Sequence, residues 1–147
     1  MVCRERVSAD HSRAGISIIM KILVVDDDRL IRDMFTNSLE TQGHEVTVAT
    51  DGDDALRLLG EMKPDVVLCD IIMPNREGIE TIAEISRTEP GLPVIAITGG
   101  GKLGPAPLLE AARRAGASAA LKKPFGTKVL LNTIHQVMSG KEAGPGE

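Results

Sequence analysis

The sequence predicts an α/β domain built on a parallel β-sheet with helices on both faces. Short runs at KILVV (21–25), VVLCD (66–70) and PVIAI (93–97) are apolar almost without a break. That is the pattern of strands buried on both faces. Each run is followed by a segment with apolar residues at helical spacing, so strand and helix alternate five times along the chain. The central runs end on polar groups, at the edge where open α/β sheets bind their ligands.

Residues 1–19 (MVCRERVSADHSRAGISII) are mixed, polar and without period, and read as a disordered leader. Met20 opens MKILVVDDD in the manner of a natural start, so one expectation is a native chain translated from Met20. The first strand, 21–25, delivers Asp26, Asp27 and Asp28. Asp28 suits a helix cap. The helix that follows places Leu30, Ile31, Met34, Phe35 and Leu39 on one face and closes at Gly43. HEVTVAT (44–50) alternates as a shorter strand. In DGDDALRLLGEM, acids open a second helix with Asp51 as its cap, and Ala55, Leu56, Leu59 and Met62 face inward.

The third strand ends at Asp70, and Pro74 interrupts regular structure soon after. Beyond the MPNREG turn, where Glu77 reads as a turn residue, Ile79, Ile82 and Ile85 mark a third helix. PVIAI runs to Thr98, GGGKLGPAP is a loop, and LLEAARRAG is a fourth helix closing at Gly116. SAALK is a short strand ending at Lys123–Pro124, with Lys122 an ordinary strand residue. Val129, Leu130, Thr133, Ile134, Val137 and Met138 stripe a fifth helix, and residues 140–147 form a flexible tail.

Composition narrows the function. At 147 residues the chain holds one domain with short tails. Phe35 and Phe125 are its two aromatics, so Val, Ile, Leu, Ala and Met must build the core. A net charge of −4 argues against general affinity for nucleic acid or an anionic membrane. His11, His44 and His135 lie far apart, without metal spacing. Cys3 and Cys69 cannot make a disulfide framework, and a reduced, cytoplasmic protein is the expectation. The stretch from Ile16 to Val25 is broken by Ser17 and Lys21 and falls well short of the roughly 20 residues a membrane span needs. It also lacks the layout of a signal peptide.

The strand ends carry the chemistry. Asp26 and Asp27, Asp70, Thr98 and Lys123 all come to one edge of one sheet. Each has an ordinary use alone: the acids as helix caps, Thr98 as a strand-end hydroxyl, Lys123 as a solvated cation. Their coincidence points to a site. Clustered carboxylates repel unless a cation sits among them. A hard divalent ion such as Mg²⁺ suits oxygen ligands, and the soft ligands of zinc are absent. A metal, a lysine and a hydroxyl around a carboxylate are the parts of a phosphoryl-transfer site, with Asp70 as the group that becomes an aspartyl phosphate.

ILVVDDD, DGDDAL, DVVLCDIIMP, EGIE, PVIAITG and AGASAALKKPF together give the chain its family likeness. From about Met20 to Met138 it resembles the receiver domain of response regulators, the CheY-like switch of two-component signalling. The resemblance implies a (βα)5 flavodoxin-like fold of strand order 2-1-3-4-5 over residues 20–139. It implies that Asp70 accepts phosphate from a histidine kinase or a phosphotransfer protein. Asp27, Asp70 and the Ile72 carbonyl would hold Mg²⁺, with Asp26 helping through water. Thr98, Lys123 and the main-chain N–H groups of Ile72 and Gly99 would hold the phosphoryl oxygens. The Lys123–Pro124 peptide would be cis, which proline permits.

Two features depart from that family. The aromatic switch residue usually found three positions before the lysine is Ala120 here, so a moving ring cannot report phosphorylation. The loop TGGGKLGPAP lengthens the interval from Thr98 to Lys123 by about three residues, as surface loops tolerate. Gly99 to Gly101 let the backbone approach a phosphoryl group or act as a linker. Lys102 is not in a P-loop, because the GxxxxGK[ST] spacing is missing.

The leading expectation is therefore a single-domain switch, monomeric or weakly dimeric, that acts on a downstream protein or relays phosphate. No direct nucleic-acid or membrane partner is expected. One alternative is a receiver-like interaction module that is never phosphorylated, although such modules generally lose part of the acid and lysine set. The other is an Asp-nucleophile phosphatase of the haloacid dehalogenase type, for which Asp26 and Asp28 have the spacing. It would need further acids after the lysine, where only Glu142 and Glu147 stand, and Leu30 replaces the small residue expected there.

Overall fold

The computed structural model describes residues 19–71, 77–99 and 106–139. Among these residues five strands and five helices alternate. They are β1 (Lys21–Val25), α1 (Arg29–Thr41), β2 (Glu45–Ala49), α2 (Gly52–Met62), β3 (Val66–Asp70), α3 (Glu77–Thr88), β4 (Val94–Thr98), α4 (Ala106–Ala115), β5 (Ala119–Lys122) and α5 (Thr127–Met138). All pairings are parallel, in the order β2-β1-β3-β4-β5. The expected fold class and strand order are both observed.

Successive side chains on a strand point to opposite faces, and this sorts the core into two layers. Ile22, Val24, Val66, Leu68, Ile95, Ile97 and Leu121 pack under α1 and α5, against Phe35, Leu39, Leu130 and Ile134. Leu23, Val25, Val67, Cys69, Val94 and Ala96 face α2, α3 and α4, against Ala55, Leu59, Ile82, Ile85 and Ala112. β3 and β4 are buried along their whole length, as their unbroken apolar runs require. The two phenylalanines meet in the first layer with ring centroids 6.0 Å apart.

The helices end where local chemistry stops them. Asp28 caps α1 by accepting the Leu30 N–H at 2.9 Å, and Asp51 caps α2 by accepting the Asp54 N–H at 2.8 Å. Gly43 and Gly116 follow α1 and α4 with φ of +94° and +118°, a conformation that favours glycine.

Four details differ from the sequence reading. Glu77 and Gly78, read as the end of the MPNREG turn, are the first two residues of α3. Leu30 and Met34 are 76% and 53% exposed, because Ile31, Phe35 and Leu39 form the row that meets the sheet and their preceding neighbours fall to its flank. Val129 and Met138 are likewise exposed at the edge of the α5 stripe. α4 begins at Ala106, earlier than expected, since Pro107 sits in a first turn that needs no N–H from it. The leader 1–18, most of the Gly/Pro loop (100–105) and the tail 140–147 lie outside the described residues. Among the described residues no helix is long and apolar enough to cross a membrane.

His44, just before β2, is buried and its Nδ1 accepts the Met20 N–H at 3.1 Å. Burial lowers its basicity below the usual 6.5, and the nearby His135 adds to this. The folded chain thus binds this proton more weakly than the unfolded chain, so stability is lost as pH falls below 6.5. His44→Asn keeps an acceptor for Met20 and removes the titration. Thermal melts through this range should show a shallower acid-side loss in the variant than in the wild type.

Candidate functional site

The parallel register brings the acids together. Val25 lies opposite Cys69, so Asp26 and Asp70 leave the ladder side by side. The Asp26 N–H still donates to the Ala49 carbonyl (3.1 Å), and the Ile71 N–H to the Ile97 carbonyl (3.0 Å). Both acids are therefore held on backbone that remains part of the sheet. Carboxylate oxygens of Asp26, Asp27 and Asp70 all lie within 4.8 Å of one another, with Asp26 and Asp70 buried and Asp27 exposed. Lys123 Nζ stands 3.9 Å from both Asp26 Oδ2 and Asp70 Oδ2.

The opposite side of the site comes from β4 and β5. Thr98 is fully buried and its hydroxyl donates to the Gly99 carbonyl at 3.0 Å. The Lys123 N–H donates to the Thr98 carbonyl at 2.8 Å, which ties the lysine to the end of β4. The Lys123–Pro124 peptide is cis, as expected. Ala120 is buried in the layer that faces α4. Ile72 lies outside the described residues, as do Gly100 and the side chain of Glu77.

The β1–α1 turn is built around Asp26. Its Oδ1 accepts the Asp28 N–H at 2.8 Å, while Arg32 Nη1 donates to its main-chain carbonyl at 2.8 Å. Arg32 is a positioning group that the sequence reading missed. Its only signal was a cation one helical turn beyond the acidic triplet.

Charge decides what this arrangement can hold. Three carboxylates face one ammonium group, which leaves an excess of two negative charges. Asp26 Oδ2 is buried and has no hydrogen-bond partner among the described residues. Burial holds the Asp26 carboxyl above its ordinary range, against the opposing pull of the Asp28 N–H and Lys123. A buried carboxylate oxygen without a donor, beside two further acids, is the environment that a hard divalent cation satisfies. The residues present fit Mg²⁺. Cys69, the described cysteine, is unsuited as a soft ligand: it points its Sγ at the Asp70 and Gly78 carbonyls (3.6 and 3.9 Å), and burial pushes its thiol up.

Residues 22–135 match the response regulator receiver domain. The chain belongs to that family. Phosphorylation and Mg²⁺ binding in an acidic pocket are features of receiver domains in two-component signalling, and Asp26, Asp27 and Asp70 form a cluster here that could hold a metal ion. Among its relatives is the response regulator MprA of Mycobacterium avium (strain 104), 36% identical over 119 residues, or 81% of this chain and 51% of that protein. MprA of Mycobacterium sp. (strain KMS) is 34% identical over 128 residues, 86% of this chain and 54% of that protein. The chain thus spans about half the length of the curated relatives it matches. Similar solved structures include the receiver domain of NtrX from Brucella abortus, with a TM-score of 0.74, 34% identity and coverage of 80% of this chain and 98% of that one. A CheY-like receiver domain protein from Methanospirillum hungatei JF-1 has a TM-score of 0.75, 30% identity and coverage of 83% and 95%.

Proposed function

We propose that this protein is a cytoplasmic phosphoryl-accepting switch in which Asp70 is the acceptor and a histidine kinase or phosphotransfer protein is the donor. The observation that carries this reading is the convergence of two other acids and Lys123 on the Asp70 carboxylate at the carboxyl end of β3. An Asp70 oxygen forms the new bond to phosphorus. The bond from phosphorus to the donor imidazole nitrogen breaks, and its electron pair stays on that nitrogen, which takes a proton from solvent.

Asp26, Asp27, Asp70 and the Ile72 carbonyl would hold Mg²⁺, whose charge would offset that of the phosphoryl oxygens. The ammonium of Lys123, already 3.9 Å from Asp70 Oδ2, pairs with another of those oxygens. The Thr98 hydroxyl leaves the Gly99 carbonyl to donate to a third, and the N–H groups expected from Ile72 and Gly99 would complete the cradle. With Ala120 in place of a ring, the signal passes from Thr98 into the loop that follows it. A downstream protein or a further phosphotransfer step reads it. The phosphatase reading is disfavoured because Asp28, which would serve there as the second acid, is committed to capping α1.

Intact mass after incubation with acetyl phosphate tests this reading. A gain of one phosphoryl group with Mg²⁺, lost in EDTA, is the expected result. No gain, together with no binding of beryllofluoride, would favour an interaction module that is never phosphorylated.

A further inference from the structure

Gly78, the second residue of α3, is buried against the main chain that carries the acceptor. A Cβ at this position would overlap Ile71 Cα and the Asp70 carbonyl oxygen, and would lie 2.8 Å from the Ile71 carbonyl carbon. All three are backbone atoms, so no side chain can turn aside to make room. Two other tight glycines differ in this respect. A Cβ at Gly52 would meet only the Thr81 side chain, and one at Gly116 only the Ser86 side chain.

The acceptor peptide is also fixed from its other side. Asp70 is in register with Ile97, whose carbonyl accepts the Ile71 N–H. The Asp70–Ile71 unit is thus clamped between β4 and the first turn of α3, with Cys69 Sγ facing the carbonyls of both Asp70 and Gly78. Relieving the overlap would require a movement of about 1 Å, the scale at which misplacing a reacting group costs on the order of 100-fold in rate.

We propose that Gly78 is a positioning residue for phosphoryl transfer: its missing side chain lets α3 seat directly on the Asp70–Ile71 backbone and set the acceptor carboxylate against Lys123 and Asp26. This rests on the reading of Asp70 as phosphoacceptor. Gly78→Ala is compared with Gly52→Ala, a packing insult in the same layer that the Thr81 side chain can absorb. Backbone amide resonances are recorded without metal or donor, and phosphoryl uptake from acetyl phosphate with Mg²⁺ is measured per folded molecule. Both are repeated in trimethylamine N-oxide, which favours the compact state.

Gly78→Ala should shift the amides of Asp70, Ile71 and Lys123 and slow uptake by about 10- to 100-fold, a deficit that persists in the osmolyte. Gly52→Ala should lower the melting temperature and leave those amides and the rate unchanged. Unmoved Asp70 and Ile71 amides, recovery of the rate in osmolyte, or equal slowing by Gly52→Ala would overturn the proposal. Should Gly78→Ala not fold, Cys69→Ala opens the same contact without added bulk. Joint movement of the Asp70 and Gly78 amides then supports the proposal, and unmoved amides overturn it. If the wild type takes up no phosphate and binds no beryllofluoride, the phosphoacceptor reading fails, while the amide shifts still decide whether Gly78 holds the Asp70–Ile71 backbone in place.

Discussion

Asp70→Asn is expected to abolish phosphoryl uptake, with no mass gain from acetyl phosphate at any Mg²⁺ concentration. The amide has the carboxylate's shape but neither its charge nor its nucleophilic oxygen, and the backbone bond from Ile71 to Ile97 does not depend on the side chain. The matched control is Asp28→Asn. Asp28 accepts the Leu30 N–H as the cap of α1, and Asn caps a helix about as well as Asp. Uptake should therefore survive at position 28 and vanish at position 70. Intact mass reads both.

Asp26→Asn should move stability and metal response in opposite directions. Asp26 Oδ2 is buried without a hydrogen-bond donor among the described residues and lies beside two further acids. An amide removes one of the three charges and can donate to a neighbouring carboxylate, while its Oδ1 still accepts from the Asp28 N–H. Metal-free stability should rise by about 1–2 kcal/mol, the scale of relieving an unsatisfied buried polar group. Wild-type stability should rise by about 2.7 kcal/mol when Mg²⁺ is present at a hundred times its dissociation constant, and that gain should be largely missing in the variant. Urea unfolding with and without Mg²⁺ reads both effects. That pair of results would mark a trade of stability for function at the site.

The sheet was legible because buried parallel strands leave a strong mark. VVLCD and VIAIT carry unbroken apolar runs, and both are buried throughout. The cluster of acids and lysine was legible for the same reason: strand ends that share an edge bring Asp26, Asp70 and Lys123 together. Contacts set by tertiary packing left no such mark. Leu30 and Met34 fit the helical period as well as Phe35 does, and only the seating of α1 on the sheet leaves them exposed. Arg32 reads as one more surface cation until its guanidinium is found on the Asp26 carbonyl. Gly78 reads as a turn glycine, and its closeness to the Asp70 backbone exists only because α3 packs there. The Ile72 carbonyl, expected as a metal ligand, lies outside the described residues.

The acceptor itself can be read directly. Borohydride reduces an aspartyl phosphate to homoserine, so treating the acetyl-phosphate-loaded protein with borohydride and mapping its peptides by tandem mass spectrometry locates the phosphorylated residue. Homoserine at position 70, dependent on Mg²⁺, is the expected result. Homoserine at Asp26 instead would point to the phosphatase-like use of the first acidic cluster, and none at position 70 would contradict the assignment of Asp70 as the phosphoacceptor.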